Sequence, residues 1–268
     1  MMRTVNNEEL KRVQIEILDV VSKYCDENGI RYWLDGGTLI GAVRHNGYIP
    51  WDDDIDLGML RPDFDRFIHE FNSYDSRYVV GCVESDESFT YAYAKVLDTR
   101  TILYEPDEKG NKISINIDVF VYDNAPDDSQ KVKELFRKRD RYRDMNQLRT
   151  MHNKPTGRLG RQLFVRLLRL TLLPFPRNFF AKKEVANAKK YNSIETKRVG
   201  NFLGWARLTC DKHVFDSFID HVFEGKMYKI PVGYDKWLTE FYGDYMQLPP
   251  PEKRVSHHTF KAYIEDDA

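Results

Sequence analysis

Four aspartates crowd into five positions, at Asp52, Asp53, Asp54 and Asp56, and a glycine pair, Gly36-Gly37, lies upstream of them. Along an extended Asp54-Ile55-Asp56-Leu57 the two-residue period puts both carboxylates on one face and Ile55 and Leu57 on the other. Carboxylates about 7 Å apart on a strand repel each other, and they lose hydration if enclosed. A divalent cation between them relieves both penalties, and hard oxygen ligands suit Mg²⁺ or Mn²⁺. Glycines that open a helix let backbone N–H groups reach phosphate oxygens with no Cβ in the way. A phosphate cradle beside metal-binding aspartates is the equipment for phosphoryl or nucleotidyl transfer. A calcium EF-hand does not fit: Leu57 stands where the loop needs glycine, and Asp63 stands where it needs glutamate.

Those residues need elements to hold them. Residues 7 to 28 carry Leu10, Val13, Ile17, Val20, Val21 and Tyr24 at helical spacing, and Gly29 is a stop. Ile30 to Asp35 reads as a strand, Thr38 to His45 as a helix entered at the glycines, and Asp54 to Leu57 as the acidic strand. Pro62 sits in the first turn of a helix carrying Phe64, Phe67, Ile68 and Phe71. Tyr78–Val83, Tyr91–Leu97, Ile102–Tyr104 and Ile113–Phe120 are strand-like, with a hairpin turn at Lys109-Gly110-Asn111. Beyond them a basic helix runs from Ser129 to about Arg149. Further helices are read over 156–173, 179–197, 211–223 and 233–246, the last broken at Gly243.

The run GGTLIGAVRHNGYIPWDDDIDLG resembles the signature of the LicD/fukutin group of the nucleotidyltransferase-fold superfamily, and FYGDYMQLPPPEKRVSHH resembles the end of LicD-type proteins. The resemblance implies an α/β fold: a nucleotidyltransferase-like mixed sheet with flanking helices over residues 1–126, and a mainly helical, basic, acceptor-side part over 127–268. It implies that Asp118, in ISINIDVF, joins Asp54 and Asp56 as the third acid holding Mg²⁺ or Mn²⁺, with Asp52 beside them. Gly36, Gly37 and Thr38 would then grip phosphates, and Arg44, Lys95 and His257 would meet the substrate. The implied reaction moves phosphocholine from CDP-choline onto a hydroxyl of a lipid-linked glycan, with no nucleic acid involved. A CDP-ribitol or CDP-glycerol donor, true NMP addition, and a non-enzymatic binding protein are the rival readings. One or two of Trp33, Tyr48, Trp51, Tyr91 and Tyr93 are candidates to box a quaternary ammonium.

Of 268 residues, 41% are hydrophobic and 31% charged, and the mean hydropathy is −0.60. No run approaches the length of a spanning helix, and the N-terminus lacks the apolar core of a secretory signal, so a cytoplasmic protein is expected. The three cysteines have no metal or pairing pattern and read as buried thiols. The net charge of −1 hides an asymmetry: residues 129–190 hold 18 Lys and Arg against 4 Asp and Glu. That local balance of +14 leaves −15 for the rest and predicts an anionic partner. The leucines and arginines of 158–173 read either as a packed helix or as a peripheral contact with the inner face of a membrane.

Overall fold

The computed structural model describes residues 2–104, 112–150, 159–207, 209–255 and 261–265. A short strand that the helical reading of the N-terminus misses, β1 (Met2–Val5), precedes helix α1 (Asn7–Asn28). Asn6 caps α1 by accepting from the Glu9 N–H, and the Glu9 side chain accepts from the Asn6 N–H. This reciprocal box satisfies two donors that a helix start otherwise leaves orphaned. Gly29 ends the helix in the left-handed region at φ 61°. Then come β2 (Trp33–Leu34), α2 (Gly36–His45), β3 (Asp56–Leu60), α3 (Arg61–Glu70), β4 (Tyr78–Gly81), β5 (Ala94–Asp98), β6 (Thr101–Tyr104), β7 (Lys112–Ile113) and β8 (Asn116–Ala125).

Strand β8 organises the sheet. It pairs parallel with β3 and antiparallel with β5, and its far end pairs with β9 (Arg198–Gly200). Among the described residues this gives a mixed seven-stranded sheet in which β10 (Thr209–Asp211) extends β9, β2 flanks β3, and β4 flanks β5. The chain beyond residue 126 thus contributes strands to this sheet as well as the helices α4 (Ser129–Thr150), α5 (Leu159–Leu172) and α6 (Phe179–Ala188). It also supplies the hairpin β11 (Phe218–Phe223) and β12 (Lys226–Pro231), helix α7 (Tyr234–Tyr242), and β13 (Lys261–Glu265). β13 lies between β1 and β6 and joins the two ends of the chain in a second sheet.

Three expectations change. The acidic strand begins at Asp56, so Asp54 precedes it and does not alternate with Asp56 along a strand. A turn closed by the Asp52 N–H on Ile49 O comes before it, and residues 52–55 form a loop that gathers three carboxylates, where a strand would send consecutive ones to opposite faces. Residues 211–223 are not a helix: Lys212–Phe215 makes one 3-10 turn and β11 follows. The spacing of Val214, Phe215, Phe218, Ile219 and Val222 suits both conformations, but Glu224 and Gly225, at φ 50° and 76°, form a two-residue hairpin turn that commits the segment to pairing. The helix read over 179–197 ends at Ala188, and Arg198 already belongs to β9. The Lys109-Gly110-Asn111 turn lies outside the described residues.

The apolar face of α1 lies in a core shared with the sheet, in which Trp33 stacks on Phe215 at 4.1 Å and tilts against Tyr122 at 5.2 Å. Cys25, Cys82 and Cys210 are buried free thiols, as expected. One buried ionic junction ties α3 to β8. Arg61 donates through Nε and Nη2 to both oxygens of Asp123 at 2.7 and 2.9 Å, and through Nη1 to Glu84 at 2.9 Å. Asp123 has no solvent exposure, so Arg61→Met strands its charge. Urea unfolding is expected to show a loss of about 3–5 kcal/mol, the range for breaking a buried pair from one side.

Candidate active site

The register of the central strands brings the site together. Lys95 on β5 is the partner of Asp118 on β8, and Asp118 is the partner of Asp56 on β3. Directly opposed residues project to the same face, so an ammonium and two carboxylates form one row across three strands. Lys95 Nζ donates to Asp118 Oδ1 at 2.6 Å and to Asn116 Oδ1 at 3.0 Å. The Asp118 N–H donates to Ile55 O, and the Asp35 N–H to Asp56 O, both at 2.9 Å, so backbone bonds secure both acids. The loop before β3 brings Asp52, Asp53 and Asp54 so close that one oxygen from each lies within 4.8 Å of the others. Helix α1 braces that loop from behind: Gln14 Nε2 donates to Asp53 O at 3.0 Å, and the Tyr48 hydroxyl donates to Gln14 Oε1 at 3.0 Å.

The glycine pair lies against these acids. A Cβ on Gly36 would meet Asp56 Oδ2 at 3.2 Å, and Gly36 has φ +52°. On Gly37 a Cβ would meet Asp52 Oδ2 at 2.8 Å. Gly36 therefore resists a side chain by its backbone conformation, and at Gly37 a side chain would have to push the Asp52 carboxylate aside. Thr38, buried behind them, accepts the Asp56 N–H on its hydroxyl at 2.9 Å and locks the first turn of α2 to the start of β3. The positive end of α2 thus lies against the carboxylates of Asp52 and Asp56.

The sequence profile of the LicD/FKTN/FKRP nucleotidyltransferase domain matches residues 29–158, which include every one of these groups except Gln14. The chain is also 34% identical over 270 residues to the "Lipopolysaccharide cholinephosphotransferase LicD" of Haemophilus influenzae, an alignment covering 98% of this chain and 100% of that one. The chain belongs to the LicD family. It is accordingly a LicD-type phosphotransferase. It also resembles human "Ribitol 5-phosphate transferase FKRP", 60% identical over 35 residues, which are 13% of this chain and 7% of that one. Human "Ribitol-5-phosphate transferase FKTN" is 24% identical over 119 residues, 44% of this chain and 23% of that one.

The electrostatics of this LicD-family site are those of an acid cluster with one cation, Lys95, at its edge. Burial pushes the Asp56 carboxyl well above its ordinary pKa, and the charges of Asp54, Asp118, Asp35 and Asp52 push it further. Burial also lifts Asp35 to about 6, against hydrogen bonds from Tyr122, Gly36 and Trp33 that favour its charge. Burial opposes the charge of Lys95, but the Asp118 carboxylate outweighs it and raises the pKa of the ammonium. Asp56 and Asp118, with Asp54 in the loop beside them, are the residues that could hold a divalent cation, since carboxylate oxygens are the ligands that suit Mg²⁺ or Mn²⁺.

The remaining sequence candidates have other partners or fall outside the described residues. Arg44 reaches towards the C-terminal segment, where Nη1 donates to Tyr245 O at 2.6 Å and Nε to His45 Nε2 at 2.9 Å. His257 lies outside the described residues. Trp33 and Tyr48 are core side chains, and the rings of Tyr91 and Tyr93 already face the Lys95 ammonium, at 5.5 and 5.3 Å.

Two neighbours of the site went unread in the sequence. Asp35 stands at the N-cap of α2 without a side-chain capping bond; its oxygens accept the Tyr122 hydroxyl at 3.0 and 2.9 Å. Tyr242, at the end of α7, brings its hydroxyl to within 3.7 Å of the Gly36 Cβ position. The signal for Tyr242 was its place in the FYGDYMQLPP run that resembles the family, whereas nothing marked Asp35 off from an ordinary helix-capping aspartate.

Proposed function

We propose that this LicD-family enzyme transfers phosphocholine from CDP-choline to a hydroxyl of a cell-surface glycan precursor and releases CMP. The observation that carries this reading is the similarity to the Haemophilus influenzae cholinephosphotransferase, which runs the full length of that protein. The acceptor oxygen forms a bond to the choline-bearing phosphorus, the bond from that phosphorus to the bridging oxygen breaks, and CMP departs with the electron pair. Asp118, with Oδ1 engaged by Lys95, takes the proton of the attacking hydroxyl on Oδ2; Asp52 is the second candidate for that role. The Gly36, Gly37 and Thr38 backbone holds the diphosphate at the start of α2, and Lys95 offsets charge on the transferred group. Arg44 acts at one remove, pinning the segment after α7 against α2. Mg²⁺ or Mn²⁺, held by Asp54, Asp56 and Asp118, would neutralise the diphosphate and make CMP a better leaving group.

A ribitol phosphate donor is the second reading, supported by the short but close match to FKRP. Incubation with Mg²⁺, a choline-free glycolipid extract and CDP-choline, CDP-ribitol or CDP-glycerol in turn distinguishes them. Release of CMP from CDP-choline, with label entering the glycan, is expected. CMP release from CDP-ribitol alone would transfer the assignment to the polyol, and pyrophosphate release from an NTP would replace both.

A further inference from the structure

Helix α5 turns its apolar side outward. Leu163, Phe164, Leu167 and Leu170 are each 54–65% exposed, and Leu173, just past the helix end, is 58% exposed. At 100° per residue the four helix positions share an arc of about 120°, while Leu172, on the opposite side, is buried and Val165 and Leu168 are half-buried. The helix therefore packs through a narrow inner stripe, and no other described residue covers its widest apolar face. Single exposed leucines are ordinary on protein surfaces, but a contiguous stripe of large apolar side chains marks a contact surface.

Charge identifies the occupant. Exposed Arg166 borders the stripe, exposed Arg177 follows it, and the surrounding 129–190 segment carries the local balance of +14. Pairing this face with a second copy of itself would bring like-charged rims together. An anionic bilayer accepts both features, apolar side chains at the acyl boundary and arginines among the headgroups. No described helix is long and apolar enough to cross a membrane, so the contact is peripheral. We infer that α5 docks the enzyme on the surface of an anionic membrane. The surface is separate from the carboxylate row and holds whichever nucleotide donor is used.

Flotation of the full chain with vesicles of phosphatidylglycerol and phosphatidylcholine, beside vesicles of phosphatidylcholine alone, tests this. The protein is expected to float with the anionic vesicles and to be released as salt rises. Leu163→Glu with Leu167→Glu should weaken that partitioning roughly tenfold or more, and Arg166→Glu should weaken it on anionic vesicles specifically. All three positions are exposed, so circular dichroism and CMP release from CDP-choline in solution should not change. Failure of the wild type to float, or undiminished flotation of the double variant, would overturn the inference. So would a dimer, seen by sedimentation, that the same double variant converts to monomer.

Discussion

Asp56→Asn is expected to abolish turnover and, at the same time, to make the metal-free protein harder to unfold. The loss of turnover follows from the position of Asp56 between the glycine turn and Asp118, and a fall of about 10³-fold or more is expected. The gain in stability follows from its raised pKa. A group that binds its proton more tightly when folded supports folding at low pH. That support is lost as pH rises above the unfolded-state value towards the folded one. In chelator-treated wild type, thermal stability should therefore fall from about pH 4 upward, whereas the Asn variant lacks that part of the decline. Thermal scans at pH 5 and pH 8 measure it, with the variant's advantage larger at pH 8. Retained turnover, or an Asn variant less stable than wild type at pH 8, would contradict this assignment of Asp56.

Lys95→Met is expected to act on stability with the opposite sign. Lys95 is nearly buried, and its ammonium is the charge that Asp118 meets at 2.6 Å. Its removal leaves Asp118 and Asp56 facing each other with no cation beside Asp118, a cost of about 3–5 kcal/mol in the metal-free protein. Turnover should fall by about 10²-fold, since both the charge on the transferring group and the set of Asp118 are disturbed. Because the two effects share one repulsion, they should not add. The double variant Asp56→Asn/Lys95→Met should recover most of the stability lost in Lys95→Met, and urea titration of the four proteins measures that coupling. Strict additivity would mean that the row is not an electrostatic unit.

The site was legible where chemistry is concentrated in a short run. Gly36, Gly37, Asp52, Asp54 and Asp56 could be read together because backbone geometry makes them neighbours with little help from the rest of the chain. Asp118 lies more than sixty residues on and became readable only through family resemblance; the β3–β8 register then sets it beside Asp56. Lys95 was named as a phosphate contact, but its role as partner of Asp118 depends on strand pairing that no local pattern announces. Arg44 shows the same limit in reverse: its position within the motif was clear, while its partner, Tyr245 O, is contributed by the far end of the chain.

The fold was legible where one period dominated and obscure where two competed. The spacing of α1 and its stop at Gly29 admit a single reading. The apolar spacing of 211–223 admitted two, and the Glu224-Gly225 turn that decides between them lacks the asparagine or aspartate of the stronger hairpin signals. In α5 the helix was readable, but the direction of its leucines was not, because an amphipathic pattern specifies two faces without saying which one meets solvent.

Calorimetric titration of Mn²⁺ into the chelator-stripped full chain tests the carboxylate row most directly. Wild type should show one saturable class of sites, with affinity reduced by more than about tenfold in Asp56→Asn and in Asp118→Asn. An acidic control remote from the row, Asp127→Asn, should bind as wild type does. Equal Mn²⁺ binding by all four proteins, or none by wild type, would mean that these aspartates do not gather a metal ion.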